Sequence, residues 1–435
     1  MTKVLLIGQG AREHAIAEAL VKGGAVLYSY MKTRNPGIAR LSEKVRVGSL
    51  RSTQEIASYA GQVDFCFIGP EDPLAEGLVD FLEASGIQCV GPVKSAARLE
   101  SSKSFTRELL SKYSIPGNPQ YKVFTSTGGV KEYLESNRNI VVKPDGLTGG
   151  KGVKVAGEHL STMDEAHKYI QEIVDSGAKA VVEERLEGEE FTLQAFVDGE
   201  HVVGTPLVQD HKRAYEGDTG PNTGGMGSYS CPDHLLPFVE AKHVSEALRI
   251  MDKTVKAVKK ETSTRYKGIL YGQFMLTREG LKVVEYNARL GDPEAINILP
   301  LLNANLVDVC YKILDGKLSE KHVSFLRKAT VVKYLAPVGY PVNPNPTEVQ
   351  VNESEIGRIG GRVYYASVDE RDNRIYTTTS RSIAVLGVGE TQEEAERIAE
   401  SSVYCIGGDL FHRRDIGTSR LIQRRVDHMK QIMNR

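Results

Sequence analysis

The run Val141-Val142-Lys143-Pro144-Asp145-Gly146-Leu147-Thr148-Gly149-Gly150-Lys151-Gly152-Val153-Lys154-Val155 decides how the rest of the chain is read. It divides into a short apolar strand over 139–143, a glycine-rich turn and a second strand over 152–156. Gly146, Gly149, Gly150 and Gly152 remove side chains from the turn, so backbone N–H groups can approach an anion. Lys143 and Lys151 bring positive charge to the same place, and the combination predicts a clamp over phosphates. It is not a P-loop, which needs G-x-x-x-x-G-K-[ST] between a strand and a helix. Here the glycine spacing is one residue short, no hydroxyl follows Lys151, and a strand follows instead of a helix. Taken alone, the loop also satisfies the description of an exposed hairpin turn with incidental lysines, so the decision passes to the rest of the chain.

A length of 435 residues implies two to four domains. Charged residues at 26% and hydrophobic ones at 40% are ordinary for a globular chain. With Lys+Arg 55 against Asp+Glu 56, the net charge of −1 offers no field for nucleic acid or an anionic membrane, and neither partner is expected. The five cysteines are scattered, odd in number and free of any C-x-x-C, which argues against zinc or a disulfide framework and for a reducing cytoplasm. The apolar run Val4 to Ile7 is too short for a signal peptide. The long apolar region from Ile296 to Leu314 holds Pro300, Asn303, Asn305 and Asp308, so no membrane span is expected.

In the first third, strands at Lys3–Ile7, Val63–Ile68 and Ile87–Val90 alternate with helices, including one expected from Leu74 to Ser85. Alternation of this kind implies a mostly parallel sheet. Ligands of such sheets bind beyond the C-terminal strand ends, where the Gly8-Gln9-Gly10 turn and the Gly69–Pro73 loop fall. The turn lacks the third glycine of a dinucleotide fingerprint, because position 13 is Glu. A turn leading into a helix N-terminus is still an anion site, and Arg12 adds charge. Glu71 stands out beside it, against the alternative of a solvated turn carboxylate. Ser52-Thr53-Gln54-Glu55, Thr162-Met163-Asp164-Glu165 and Thr391-Gln392-Glu393-Glu394 have capping-box form. Lys103 near the start of a helix opposes the helix dipole, a misfit that favours an anion-binding role.

Three clusters follow the clamp. Gln209-Asp210-His211-Lys212-Arg213 is dense in polar groups, and Asp218 to Gly227 is a second glycine-rich loop. In Leu281 to Arg289, alternate residues Glu285, Asn287 and Arg289 share one strand face, and a hairpin around Thr277–Gly280 brings Gln273 beside them. A carboxylate and an amide oxygen suit Mg²⁺ bridging substrate phosphates, and Arg289 can hold an acidic group. The competing reading is an exposed polar face with an ion pair. The last third, with strands at 329–334, 361–366 and 383–387 and a helix to about Cys405, reads as a small α+β unit.

The set V-L-L-I-G-Q-G-A-R-E-H, I-G-P-E-D-P-L-A-E-G, S-K-S-F-T, K-P-D-G-L-T-G-G-K-G-V, E-E-R-L-E-G-E-E-F-T, Q-D-H-K-R, D-T-G-P-N-T-G-G-M-G, E-Y-N-A-R-L-G-D-P-E and F-H-R-R-D-I-G, in that order, resembles the ATP-grasp superfamily. Within it, the chain resembles the phosphoribosylamine–glycine ligase (glycinamide ribonucleotide synthetase) family of purine biosynthesis almost end to end. The resemblance implies a multidomain α/β and α+β fold: an N-terminal parallel-sheet, Rossmann-like domain over 1–101, an ATP-grasp domain over 102–320 with a lid at about 121–187, and a small C-terminal domain over 321–435. It implies the conversion of ATP, glycine and 5-phosphoribosylamine to glycinamide ribonucleotide, ADP and phosphate through glycyl phosphate, with Mg²⁺ or Mn²⁺. Another ATP-grasp carboxylate–amine ligase of the same pathway is the alternative, and a non-catalytic nucleotide-binding regulator would need no metal face.

By the same resemblance Lys103, Lys143, Gly149, Gly150 and Lys151 hold the phosphates, Glu184 and Leu186 meet adenine, and Glu190 meets ribose. Glu285 and Asn287, with Gln273, hold the metal, while Arg289 and Lys143 act on the reacting groups. Asp210, Lys212, Asn222, Thr223, Gly224, Gly225, Met226 and Asp292 serve the glycine and amine. Gly10, Arg12, Glu13 and Glu71 serve the phosphoribosyl part. Three features depart from the family pattern: Arg34-Asn35-Pro36-Gly37-Ile38 replaces a loop close to G-N-x-G-T, Pro144, Thr148 and Gly149 stand where alanines are frequent, and Arg185 takes an apolar hinge position. A cytoplasmic monomer or weak homodimer is expected.

Overall fold

The computed structural model of the chain describes residues 1–149 and 152–434. Gly150 and Lys151 of the clamp therefore lie outside the described residues. The first sheet has five parallel strands in the order Lys44–Val47, Val26–Met31, Lys3–Ile7, Phe65–Ile68, Gln88–Val90. Lys3–Ile7 and Phe65–Ile68 are buried almost throughout, which is why they read as unbroken apolar runs. The strand order reverses between these two, so the Gly8 and Gly69 turns meet at the switch point.

Local details differ from the sequence expectation. The helix expected over 74–85 is two helices, Glu71–Glu76 and Leu78–Ala84, because Gly77 turns left-handed at φ 91° and ends the first. The Ser52 side chain makes no cap bond, whereas Thr162 and Thr391 accept from the amides of Glu165 and Glu394 as their pattern predicts. The second clamp strand is only Lys154–Val155.

Three further sheets build the site. The clamp belongs to an antiparallel sheet ordered Tyr121–Phe124, Ala180–Glu184, Ile140–Pro144, Lys154–Val155. Helices Val130–Ser136 and Met163–Asp175 cover it, and together they enclose a separate small core around Phe124, Val142 and Ile170. Facing it is an antiparallel sheet ordered Val202–Gly204, Gly188–Val197, Gly268–Thr277, Gly280–Asn287. Its last two strands form the expected hairpin, Thr277 opposite Gly280. Gln273 lies opposite Glu285 and Phe274 opposite Val283, so one strand bulges at Val284, which re-aims the residues that follow.

A third sheet joins distant parts of the chain. Gln209–Asp210 and Gly227–Ser230 extend the strands Ala329–Pro337, Ile383–Gly389 and Arg362–Tyr365. At the junction Gly227 has φ +147°, and a Cβ there would sit 2.2 Å from the Val332 carbonyl oxygen. The final helix, Ser419–Met433, leaves this region and packs its apolar side into the core that holds Phe191 and Phe274. Among the described residues no helix is long and apolar enough to cross a membrane.

Candidate active site

The clamp sheet, the hairpin sheet and the loops of the third sheet enclose a cavity of about 760 Å³. It is lined by Lys103, Lys143, Gly149, Glu184, Leu186, Glu190, Asp210, Lys212, Asn222, Thr223, Gly224, Glu285, Asn287, Arg289, Asp292 and Glu71. Residues predicted from stretches up to 221 positions apart thus share one space.

Among the residues expected to hold the phosphates, Lys143 is buried and its Nζ lies 2.7 Å from Glu183 Oε2. Arg107 holds the same carboxylate from Nε at 2.7 Å and NH2 at 3.0 Å, and donates to the carbonyls of Val283 and Val284. Burial works to raise the Glu183 carboxyl, but Arg107 and Lys143 outweigh it and hold it at about 2. This triad ties the clamp sheet to the hairpin sheet. Lys103 is the first residue of helix Lys103–Lys112, and its Nζ donates to the carbonyls of Pro144 and Gly146 at 3.1 and 2.7 Å. The anion that its position called for is already present in part. The Asp145 carboxylate accepts from the Ser104 amide at 3.1 Å, from Ser104 Oγ at 2.6 Å and from Ser102 Oγ at 3.1 Å, which offsets the lysine at a helix N-terminus.

Of the three residues expected to hold a metal, two have side chains open to the cavity and one is engaged elsewhere. Glu285 and Asn287 line the cavity, and among the described residues neither side chain is spent on a hydrogen bond. Burial opposes ionisation of Glu285, but Lys212, Lys143 and Lys103 outweigh it and keep its pKa low. A charged carboxylate and a free amide oxygen fit a hard cation whose other ligands are phosphate oxygens and water. Gln273 does not join them. Its Oε1 accepts from Lys212 Nζ at 2.8 Å and its Nε2 donates to Glu190 Oε2, so its amide is committed to orienting the two residues. Among the described residues no group of three or more His, Cys, Asp or Glu side chains could hold a metal by itself.

Among the residues expected to serve the glycine and amine, Asp210 Oδ1 accepts from the His211 amide at 2.7 Å, and burial with Glu294 nearby raises its pKa. Burial works to lower Lys212, but Glu190, Glu285 and Asp210 raise it, so it stays protonated. Thr223 is tied to the Lys212 carbonyl through its amide and hydroxyl, and Arg381 holds the carbonyls of Gly224 and Gly225 at 2.8 and 2.6 Å. Arg381 also lies 3.1 Å from Asp292 Oδ2, whose other oxygen accepts from Tyr334 at 2.5 Å. Gly225 has φ +107°, and a Cβ there would meet Asp210 Oδ1 at 2.4 Å. Met226 is a correction: it is 0% exposed and packs with Ala336, Tyr340 and Ile416, because the strand that follows turns its side chain into the core.

The residues expected to serve the phosphoribosyl part form an ion chain. Gly10 donates its amide to Glu13 Oε2 at 2.6 Å, and Arg12 Nε lies 2.5 Å from Glu13 Oε1. Arg12 then reaches Glu71 at 3.6 Å, Glu71 reaches Arg289 at 3.2 Å, and Arg289 reaches Glu100 at 2.7 Å. Glu13 therefore caps its own helix, and its side chain faces Arg12 and the turn. Burial works to raise Glu71, but Arg289 and Arg12 hold it at about 2. The divergent loop has a structural role: buried Asn35 caps helix Pro36–Leu41 and donates to the carbonyls of Gln9 and Tyr365, each at 2.7 Å.

Several residues here escaped sequence reasoning. Glu100 lies in the last turn of the helix Lys94–Ser101 and pairs with Arg289 while accepting from the Ala288 amide at 2.7 Å; burial raises its carboxyl to about 7. Arg107, Glu183, Glu294 and Arg381 carried no spacing signal. The acid-rich run E-E-R-L-E-G-E-E did contain Glu183, but its strand alternation alone does not say which acid faces a lysine.

Comparison with known proteins accounts for nearly the whole chain. Models of the phosphoribosylglycinamide synthetase N domain, ATP-grasp (A) domain and C domain match residues 2–100, 101–295 and 330–419. A phosphoribosylamine–glycine ligase of Methanocaldococcus jannaschii is 51% identical over 442 residues, covering 99% of each chain. The crystal structure of a Thermotoga maritima phosphoribosylamine–glycine ligase, 30% identical, superposes with a TM-score of 0.81 over 95% of this chain and 100% of that one. A biotin carboxylase domain from Hydrogenobacter thermophilus, at 15% identity and TM-score 0.72, covers 99% of this chain and 94% of that one and shares the fold. The chain belongs to the phosphoribosylglycinamide synthetase family, with its ATP-grasp domain in the middle of the chain.

Proposed function

We propose that the chain is a phosphoribosylamine–glycine ligase, which joins glycine to 5-phosphoribosylamine with cleavage of ATP to ADP and phosphate. The observation that carries this reading is the single cavity shared by Lys103 and Lys143, by Glu285 and Asn287, by Arg289 and by the Asp210–Gly224 wall. ATP enters between the two sheets, with Glu184 and Leu186 at the base and Glu190 at the ribose. Lys103 and Lys143 neutralise its phosphates. The cation that Glu285 and Asn287 would hold, Mg²⁺ or Mn²⁺, supplies further neutralisation when bound.

Glycine's carboxylate oxygen attacks the γ-phosphorus and ADP leaves. The amine nitrogen of 5-phosphoribosylamine then attacks the glycyl carbon, phosphate departs, and the nitrogen loses a proton. No side-chain nucleophile is needed. Arg289, fixed between Glu71 and Glu100, faces the charge that develops at the acyl phosphate. Asp210, Lys212 and the Asn222–Gly225 backbone hold the glycine and amine, and the Gly10–Glu13 turn with Glu71 lies on the phosphoribosyl side. A division at residues 1–101, 102–320 and 321–435, with a lid over 121–187, belongs to the same reading. So do a cytoplasmic setting, supported by five unpaired cysteines, and a monomer or weak homodimer.

The test is ADP release with ATP and Mg²⁺ while glycine and freshly made phosphoribosylamine are added singly and together. Turnover with both and with neither alone supports the ligase. Turnover that depends on bicarbonate or formate instead would sink it.

A further inference from the structure

The family model for the C domain ends at residue 419, where the last helix, Ser419–Met433, begins. Nothing in the functional reading uses that helix, yet it reaches the cavity. Its buried residues Leu421, Ile422, Met429 and Ile432 anchor it; the last three join the core beneath the hairpin sheet. Its polar side carries Arg425, which lines the cavity. Arg425 NH2 lies 2.5 Å from Asp218 Oδ2, and NH1 lies 3.5 Å from Glu189 Oε2. His428, one turn further on, places Nδ1 2.6 Å from Glu189 Oε1.

These two acids belong to different walls. Glu189 precedes Glu190 on the strand Gly188–Val197, the nucleotide side. Asp218 sits at the turn between Arg213–Tyr215 and Thr219–Asn222, the hairpin that leads into the acceptor loop. That turn is also tied to the F-H-R-R-D segment: Arg413 reaches Asp218 at 3.0 Å and Asp415 at 2.7 Å, and Asp415 accepts from the Gly217 amide at 2.9 Å. Of these groups, Arg425 alone contacts both walls. A guanidinium suits this task, since its planar fork offers donors in two directions at once.

We propose that Arg425 is a positioning residue that sets the spacing between the nucleotide wall and the acceptor wall, with His428 fixing the nucleotide wall alone. The inference rests on the assignment of ATP to the Glu190 side and of glycine to the Asp210–Gly225 side. It makes the C-terminal helix part of the substrate site.

The experiment uses the full chain and the variants R425A, R425K and H428A. Steady-state KM for ATP and for glycine is measured, with the Kd for MgADP by calorimetry as a readout independent of turnover. Loss of one charge-assisted contact corresponds to about tenfold in affinity. R425A is expected to raise both KM values and the MgADP Kd about tenfold, more than it lowers kcat. H428A is expected to raise the KM for ATP and the MgADP Kd while the KM for glycine stays within twofold of wild type. An R425A that fails to fold passes the test to R425K, whose single ammonium cannot span both acids and which is expected to raise both KM values at least about threefold. KM and Kd values within twofold of wild type in the folded Arg425 variant, whatever its thermal stability, overturn the proposal, as does an H428A that moves glycine as much as ATP. A wild-type chain that binds MgADP but shows no glycine-dependent ADP release instead overturns the functional reading, and the MgADP Kd of the variants still decides the role of the helix.

Discussion

Replacing Glu183 by Gln tests the joint between the clamp sheet and the hairpin sheet. Glu183 is buried and meets Arg107 through two contacts and Lys143 through one. A carboxyl held at about 2, against an ordinary 4.5, is favoured in its charged form by about 3 kcal/mol. Removing the charge leaves two buried cations facing a neutral amide, a change that costs about 3–5 kcal/mol in comparable sites. The pH dependence has a definite sign. Because the folded pKa is depressed, the stabilisation is complete above pH 4.5 and is lost as pH falls toward 2. The chain has no tryptophan, and several domains will not unfold in one step, so native-state hydrogen exchange is the suitable assay. In the strands Ala180–Glu184 and Ile140–Pro144, E183Q is expected to exchange about a hundredfold faster than wild type at pH 7, the equivalent of about 3 kcal/mol. After correction for intrinsic rates, the gap should close between pH 4.5 and about 2. The KM for ATP should also rise, since Lys143 loses its fixed partner. Exchange within about threefold of wild type at pH 7 would refute the argument.

Three other outcomes follow from the site. E100Q removes one of the two carboxylates that aim Arg289, and a misplacement of about 1 Å costs on the order of 100-fold in rate; an unchanged kcat in steady-state assays would free Glu100 of that role. G225A forces a β-carbon into φ +107°, a strain of about 1–3 kcal/mol, and against Asp210. The expected result is a KM for glycine raised by about tenfold or more, while a normal KM for glycine would remove Asp210 from the acceptor wall. E285Q should abolish turnover and Mn²⁺ binding seen by electron paramagnetic resonance, and chelation of the wild type should stop turnover until Mg²⁺ is restored. An E285Q that binds Mn²⁺ as wild type does would contradict the metal face.

The sequence by itself determined the local elements and the residue types brought to the site. Unbroken apolar runs declared the buried parallel strands, the Thr277–Gly280 turn declared the hairpin, and one glycine-rich loop with lysines gave the expectation of a phosphate clamp. Each is a short-range signal, because side-chain direction repeats every two or 3.6 residues. The ordered motifs then carried the family. Tertiary structure alone decided which of those residues are free to act. Gln273 lies where the hairpin puts it, but Lys212 and Glu190 occupy its amide. Met226 belongs to a glycine loop, yet the pairing of Gly227–Ser230 with Ala329–Pro337 turns it into the core. Glu100, Glu183 and Arg425 matter through partners tens to hundreds of residues away, such as Arg425 and Asp218, 207 positions apart. Periodicity assigns a residue to a face; a charge acquires its partner, its pKa and its role only when distant elements close around it.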